Sequence, residues 1–281
     1  MLEMNSQKHQ TTDSRFSIRN GESISYSLHT IDTSSSRQRI TLIHSLAMNR
    51  EFWSPVIRFL IDHADVLTLD VRGHGESTTS GGKFTTELFA DDIAALLNHV
   101  GWSKSAIAGA SMGGCISLAF AAKYPEKTTA LGMIDSTAWY GSDAPLKWKE
   151  RADKVLKEGM NTLVDFQKTR WFTDEFRENN PSIVANAISI FQKNDVNAFA
   201  NTCQMMGNFD LRSTLGLLKM PTSIIVGAED YATPKEMSEL LHQSITQSTL
   251  QIIDNARHLT PLECPKIVSD ALIRLLSKIR A

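Results

Sequence analysis

Apolar and polar positions along this 281-residue chain follow two alternating periods. Short runs of aliphatic and β-branched residues, closed by glycine and polar clusters, alternate with longer stretches whose apolar positions recur every three to four residues. Residues 15–18 and 23–28 alternate around Asn20-Gly21, which predicts a β-hairpin. Residues 40–44, 66–70, 106–108, 130–134, 222–226 and 250–253 read as strands. Residues 51–61, 86–100, the stretch after Ser111, 234–243 and 265–279 read as helices. The run Ser34-Ser35-Ser36 reads as a hairpin loop.

The pattern changes between about Thr137 and Leu215. Strand signals vanish, and helical stretches rich in Trp, Phe and Met take over. Strands alternating with helices predict an α/β fold, with a mostly parallel central sheet flanked by helices. A helical stretch between two such strands predicts a lid insertion. The expected organisation is a polar N-terminal tail over 1–14, an α/β core over 15–136 and 216–281, and a helical lid over 137–215.

Composition narrows the function classes. Hydrophobic residues make up 42% and charged residues 21%, as in a soluble globular protein. The formal net charge of −2 argues against a nucleic-acid partner. The first residues lack a charged and then apolar leader, and no apolar run reads as a membrane span. Cys115, Cys203 and Cys264 are odd in number and far apart, which fits reduced thiols and a cytoplasmic protein. No phosphate loop, dinucleotide fingerprint or metal-ligand spacing is present, so no cofactor and no metal are expected.

In an open α/β sheet, ligands bind outside the carboxyl ends of the strands. Those ends carry His44-Ser45-Leu46, Asp70, Ser111, Asp230 and His258. Ser111 lies in Gly109-Ala110-Ser111-Met112-Gly113, a G-x-S-x-G between a predicted strand and a predicted helix. That motif should occur by chance in roughly one chain of this length in ten at ordinary Gly and Ser usage. Its context adds the weight. Asp230 and His258 follow at later strand ends, in the order nucleophile, acid, base. A serine hydroxyl attacks a carbonyl only if a base takes its proton, and the base needs an acid to hold its tautomer. The catalytic set read here is therefore Ser111, Asp230 and His258, with Glu229 and Asp135 as alternative acids. The backbone N–H groups of Leu46 and Met112 are the expected oxyanion donors. His44 and the run Asp70–Ser77 read as structural, with Asp70 and Arg72 tying the turn. Trp139, Trp148, Trp171, Met205 and Met206 are the expected pocket walls, although helical spacing suits lid core equally.

From residue 40 to the C-terminus the chain resembles the α/β-hydrolase superfamily. The likeness is carried by residues 109–114, 70–77, 227–230 and 256–265. Within it the chain looks most like the 3-oxoadipate enol-lactonases, through Ser45-Leu46 with Phe52-Trp53, Glu158-Gly159-Met160, Arg170-Trp171-Phe172-Thr173 and Glu263-Cys264-Pro265. It departs at His44-Ser45-Leu46-Ala47, where the family has Asn before Ser-Leu-Gly. It departs again at Ser136-Thr137-Ala138-Trp139-Tyr140, where such lactonases often place a basic residue suited to a carboxylate-bearing substrate. The resemblance implies the α/β-hydrolase fold and a serine hydrolase that cleaves an ester or enol-lactone of a small carboxylic acid through an acyl-enzyme. Enzyme alternatives are a general carboxylesterase, a cofactor-free perhydrolase and a hydrolase of carbon–carbon bonds. A ligand receptor on the same fold is the non-enzyme alternative. Expected partners exclude nucleic acid and membrane and leave a homo-oligomer open.

Overall fold

The computed structural model describes residues 9–18, 21–31 and 37–279. Eight strands share one sheet: β1 (His9–Ser17), β2 (Ser23–Ile31), β3 (Gln38–Ile43), β4 (Ala64–Leu69), β5 (Ser105–Ala110), β6 (Thr128–Ile134), β7 (Thr222–Gly227) and β8 (Ser248–Ile253). They lie in the order β1-β2-β4-β3-β5-β6-β7-β8. β2 pairs antiparallel with β1 and β4, and every other pairing is parallel. β5 and β7 are buried at every residue, which is why they read as unbroken runs and not as alternations.

The mostly parallel sheet matches the sequence reading, with two corrections at its edge. β1 begins at His9, inside the stretch read as a polar tail. Its side chains are almost all exposed, so it carries no apolar alternation to signal a strand. β4 lies between β2 and β3, so those two strands do not pair with each other. Ser34, Ser35, Ser36 and Asn20 lie outside the described residues.

α1 (Ser54–Leu60), α2 (Thr86–His99) and α3 (Met112–Lys123) connect the early strands. The Thr85 hydroxyl caps α2 by accepting from Leu88 N–H at 3.1 Å. Between β6 and β7 the chain leaves the sheet for α4 (Ala144–Glu158), α5 (Val164–Trp171), α6 (Asp174–Asn179), α7 (Pro181–Gln192) and α8 (Val196–Gly207). It closes with α9 (Lys235–Ser244), α10 (Thr260–Glu263) and α11 (Pro265–Leu276). In the insertion, Trp171, Phe172, Phe191 and Phe199 meet edge to face and belong to the same buried cluster as the sheet. Among the described residues, no helix is long and apolar enough to cross a membrane.

Two loops at the carboxyl end of the sheet are held by buried polar groups. His44 donates from Nδ1 to the Ser45 carbonyl at 2.8 Å and accepts the Val71 N–H at Nε2, 3.1 Å. It is thus a neutral tautomer that pins the loop after β3 to the loop after β4. Asp70 accepts from the Arg50 side chain at 2.6 Å and from Glu76 N–H at 2.9 Å. Arg72 bridges Asp92 and Glu22. His74 packs 5.3 Å from His44, ring centre to ring centre.

Burial pushes His44 down to about 4, and burial with the neighbouring His44 pushes His74 down to about 3. The sign follows from linkage. A histidine whose folded value lies below its unfolded value stabilises fully when both states are neutral, and that stability is lost as protons bind the unfolded chain. The melting temperature is expected to fall as pH drops from about 7 toward about 4, and the decline to be shallower in His74→Asn. Calorimetric scans across that range check this; equal slopes for both proteins would contradict it.

Candidate active site

Ser111 stands between β5 and α3 with φ 54° and ψ −117°. A residue with a side chain in the positive-φ region carries strain of about 1–3 kcal/mol, held in place by its surroundings. The surroundings here are backbone. A Cβ on Gly113 would overlap the Ile43 carbonyl oxygen, and one on Gly109 would overlap the Gly113 backbone. The first turn of α3 therefore sits directly against the ends of β3 and β5. The Ser111 side chain is turned out of the sheet, buried yet facing a cavity.

That orientation delivers its hydroxyl to His258 in the loop after β8, with Oγ to Nε2 at 2.8 Å. On the other side of the ring, Nδ1–H donates to Asp230 Oδ2 at 2.8 Å. Asp230 is itself fixed by the loop after β7. It accepts from Ala232 N–H at 2.7 Å, Thr233 N–H at 2.9 Å and the Thr233 hydroxyl at 2.8 Å. With Nδ1 donating, Nε2 is left to accept the serine proton, the arrangement a general base needs.

Two buried carboxyls stand at neighbouring strand ends, and their surroundings separate them. Burial would raise Asp230, but His258 and the Thr233 donors outweigh it and hold the group below the usual carboxylate range. Burial and the adjacent Asp230 push Asp135 well above that range, against the donors from Thr260 and Gly227. The two carboxyls are therefore shifted in opposite directions, Asp230 down and Asp135 up. Asp135 faces Thr260 N–H at 2.9 Å and Gly227 N–H at 3.3 Å, tying the loop after β8 to the end of β7. Glu229 points away, 3.5 Å from Arg257 Nε. Of the three acids considered from sequence, Asp230 is the one bonded to the imidazole.

Met112 is the first residue of α3, where the N–H has no helical carbonyl to bond. Leu46 follows the His44-pinned loop and lines the same cavity as Ser111. The neighbouring Ala47 also has positive φ, 60°. Among the described residues, no group of three or more His, Cys, Asp or Glu side chains is placed to hold a metal ion.

The cavity over Ser111 is lined by Tyr140, Trp148, Arg151, Gln167, Arg170 and Trp171 from the insertion and its approach, besides Ser45, Leu46, Ala232 and His258. Of the five residues read as pocket walls, Trp148 and Trp171 stand there. Trp139 is turned outward beneath the Arg212 guanidinium, 3.7 Å from its ring centre. Met205 lines a different depression with Phe84 and Phe209, and Met206 is buried in the core. On α8 the face that carries both methionines packs against its neighbours instead of opening on the site.

The arginines were not legible as site residues. Arg151 lies over the Trp148 ring at 4.4 Å, and Arg170 lies over Phe166 at 4.9 Å. Among the described residues, neither guanidinium forms an ion pair with a carboxylate, although Asp230 attracts Arg170 from a longer distance. Burial lowers Arg151, and burial with repulsion from Arg151 brings Arg170 down to about 10. A half-buried cation without a counter-ion costs stability, which makes these two arginines candidates for a functional site. The available signal was a cation set in an apolar helix stripe: Arg151 shares a face with Trp148 and Val155.

A family model described as alpha/beta hydrolase fold matches residues 38–265. The chain is 28% identical over 242 residues to 3-oxoadipate enol-lactonase 2 of Acinetobacter baylyi, covering 86% of this chain and 90% of that one. Among solved structures, the enol-lactonase from Burkholderia xenovorans superposes with a TM-score of 0.86 at 27% identity, covering 92% of this chain and 98% of that one. A thermophilic esterase from Thermogutta terrifontis, solved with malate bound, gives 0.87 at 28% identity, covering 97% and 100%.

The contact between Gly113 and the Ile43 carbonyl makes a direct prediction. Gly113→Ala must push α3 away from β3, at a cost of about 1–3 kcal/mol in chemical unfolding. Because the same shift rotates Ser111, labelling of the serine by a fluorophosphonate should slow in the folded variant. Wild-type stability and labelling together would contradict the packing argument.

Proposed function

The chain belongs to the α/β-hydrolase fold family, and on that premise we propose that it cleaves an ester or lactone through an acyl-enzyme on Ser111. The observation that carries this reading is the unbroken row Ser111–His258–Asp230 opening into a cavity with two unpaired arginines. His258 Nε2 takes the hydroxyl proton as Ser111 Oγ bonds to the carbonyl carbon. The N–H groups of Leu46 and Met112 receive the oxyanion. The tetrahedral adduct collapses, the ester C–O bond breaks, and Nε2 returns its proton to the leaving oxygen. In a lactone the leaving oxygen remains tethered to the acyl chain. Water, deprotonated by the same nitrogen, then releases the acid and restores Ser111. Asp230 stays ionised throughout and stabilises the imidazolium.

The substrate class follows from charge. Arg151 and Arg170 favour an acyl portion that carries a free carboxylate, so the preferred substrate is a half-ester or lactone of a small dicarboxylic acid. Similarity to 3-oxoadipate enol-lactonase 2 and to an esterase solved with malate supports this. On this reading, Arg151 in α4 and Arg170 in α5 supply the positive charge that is missing from residues 136–140 after β6.

Two measurements test the reading. Ser111→Ala should lower hydrolysis of p-nitrophenyl acetate by at least about 10³-fold, and undiminished turnover would sink the nucleophile assignment. Absence of wild-type turnover on every ester and lactone tried would favour a ligand receptor. A mono-aryl ester of succinate or glutarate should exceed the neutral ester in kcat/KM by about 10-fold or more, the worth of one charge-assisted hydrogen bond. Arg170→Met should erode that ratio by a similar factor, and equal wild-type rates on both substrates would refute the anionic preference.

A further inference from the structure

The residues on either side of His258 are bonded to the insertion and not only to the core. The Arg257 guanidinium donates from Nη1 to the carbonyls of Thr169 and Phe172, both at 2.9 Å, and to Asp174 at 3.0 Å. Leu259 N–H donates to the Trp171 carbonyl at 3.1 Å. Glu263, in the last turn of α10, closes the arrangement. Its Oε1 accepts from Thr173 N–H at 2.8 Å and from the Thr173 hydroxyl at 2.6 Å, while its Oε2 accepts from Arg257 N–H at 2.8 Å. The Thr173 hydroxyl also caps α6 by accepting from Phe176 N–H at 3.2 Å.

Segment 169–174 contains Arg170 and Trp171, two of the residues that line the cavity. The loop 257–263 contains the base. One carboxylate therefore ties the turn that meets the substrate to the loop that carries the base. Asp174, Glu229 and Tyr231 approach the Arg257 side chain, and Glu263 receives its backbone N–H. Asp174 also spans the two segments through the Arg257 side chain, but among the described residues Glu263 is the carboxylate that accepts backbone N–H groups from both.

We infer that Glu263 is a positioning residue. It holds the His258 loop in register with the Arg170–Trp171 turn, so that a carboxylate bound at Arg170 fixes where the scissile carbonyl stands relative to the Ser111–His258 pair. The inference rests on the acyl-enzyme reading above and extends it to a residue that touches neither substrate nor reacting atoms. An insertion of this kind behaves as a splint at its α5–α6 turn. Any opening needed for substrate entry falls to α4, which meets the cavity from the other side with Trp148 and Arg151.

The splint has a signature that general loosening lacks. Without Glu263, Arg170 is still present, but its distance from Ser111 is no longer fixed. The advantage of an anionic over a neutral acyl group should then collapse through kcat more than through KM. A displacement of about 1 Å at the reacting centre costs about 100-fold in rate. The test compares wild type, Glu263→Ala and Glu263→Gln with p-nitrophenyl acetate and a mono-aryl glutarate ester. A neutral fluorophosphonate reads the Ser111–His258 pair independently of substrate identity, and thermal melts verify folding. Glu263→Ala should lower kcat for the glutarate ester by about 100-fold, bring the anionic-to-neutral ratio near one and slow phosphonate labelling. Glu263→Gln keeps an acceptor for Thr173 but presents an N–H group to Arg257 N–H, so it should fall between wild type and Glu263→Ala. It also serves as the test if Glu263→Ala does not fold. A folded variant of either kind with an unchanged ratio and unchanged labelling would overturn the inference. Wild type that labels but hydrolyses neither ester would refute the ester reading and leave labelling of the variants to decide the positioning role. Wild type that does not label would overturn both.

Discussion

The site depends on one contact that has no side chain in it: the start of α3 against the ends of β3 and β5. Gly113 lies where any Cβ would enter the Ile43 carbonyl, and Gly109 lies where one would enter Gly113. Bringing helix and strand this close leaves Ser111 a single backbone conformation, at φ 54°. That strain aims the hydroxyl at His258 and sets the first N–H of the helix beside it. Ala47, Asp135 and Asn255 also take positive φ at the carboxyl end of the sheet. The outliers sit in the loops that carry the site, as expected where a rigid frame holds irregular backbone for function.

Charge is arranged around that contact with the same economy. Of the two buried carboxyls, Asp230 accepts from four donors and is held low, and Asp135 is raised by burial and by Asp230 itself. Of the two, only Asp230 bonds the His258 imidazole, and Asp135 joins β7 to the loop after β8. Above the serine the balance is reversed. Burial lowers Arg151, and burial together with Arg151 lowers Arg170 against the attraction of Asp230. No carboxylate closes on either guanidinium in an ion pair among the described residues, and that absence is what the anionic-substrate proposal rests on.

What could be read from sequence follows the range of the interactions concerned. The parallel strands announced themselves because burial on both faces forces continuous apolar runs, as in β5 and β7. Ser111, Asp230 and His258 were legible because each follows a strand end, where the fold delivers side chains to one place. β1 was largely illegible because an exposed edge strand needs no apolar periodicity. The order of β3 and β4 escaped for another reason: local pattern cannot tell a hairpin from a strand pair with a third strand between. In the insertion, helical spacing showed that Trp139, Trp148, Trp171, Met205 and Met206 pack, but not on what. Trp139 went to Arg212, Met206 to the core, and Trp148 and Trp171 to the cavity. Arg151 and Arg170 carried a faint signal, a cation among apolar helix positions, that a search for aromatic walls passes over.

On the acyl-enzyme reading proposed above, selection and catalysis are not separable into an insertion and a core. The insertion contributes both arginines, and its turn at 169–174 also bonds the two residues that flank His258. A change in that turn that improved the fit to a new acyl group would move the base as well, unless it preserved the carbonyls of Thr169, Trp171 and Phe172. Backbone carbonyls are indifferent to side-chain identity, so the side chains at 170 and 171 can change while the splint persists. Arg257 and Glu263 have no such freedom, since their own side chains make the bonds. α4, which carries Arg151 and makes no bond to the loop of His258 among the described residues, is where specificity can change at least cost to the chemistry. This division explains how a cavity can be re-lined residue by residue while the serine, histidine and aspartate beneath it stay in register.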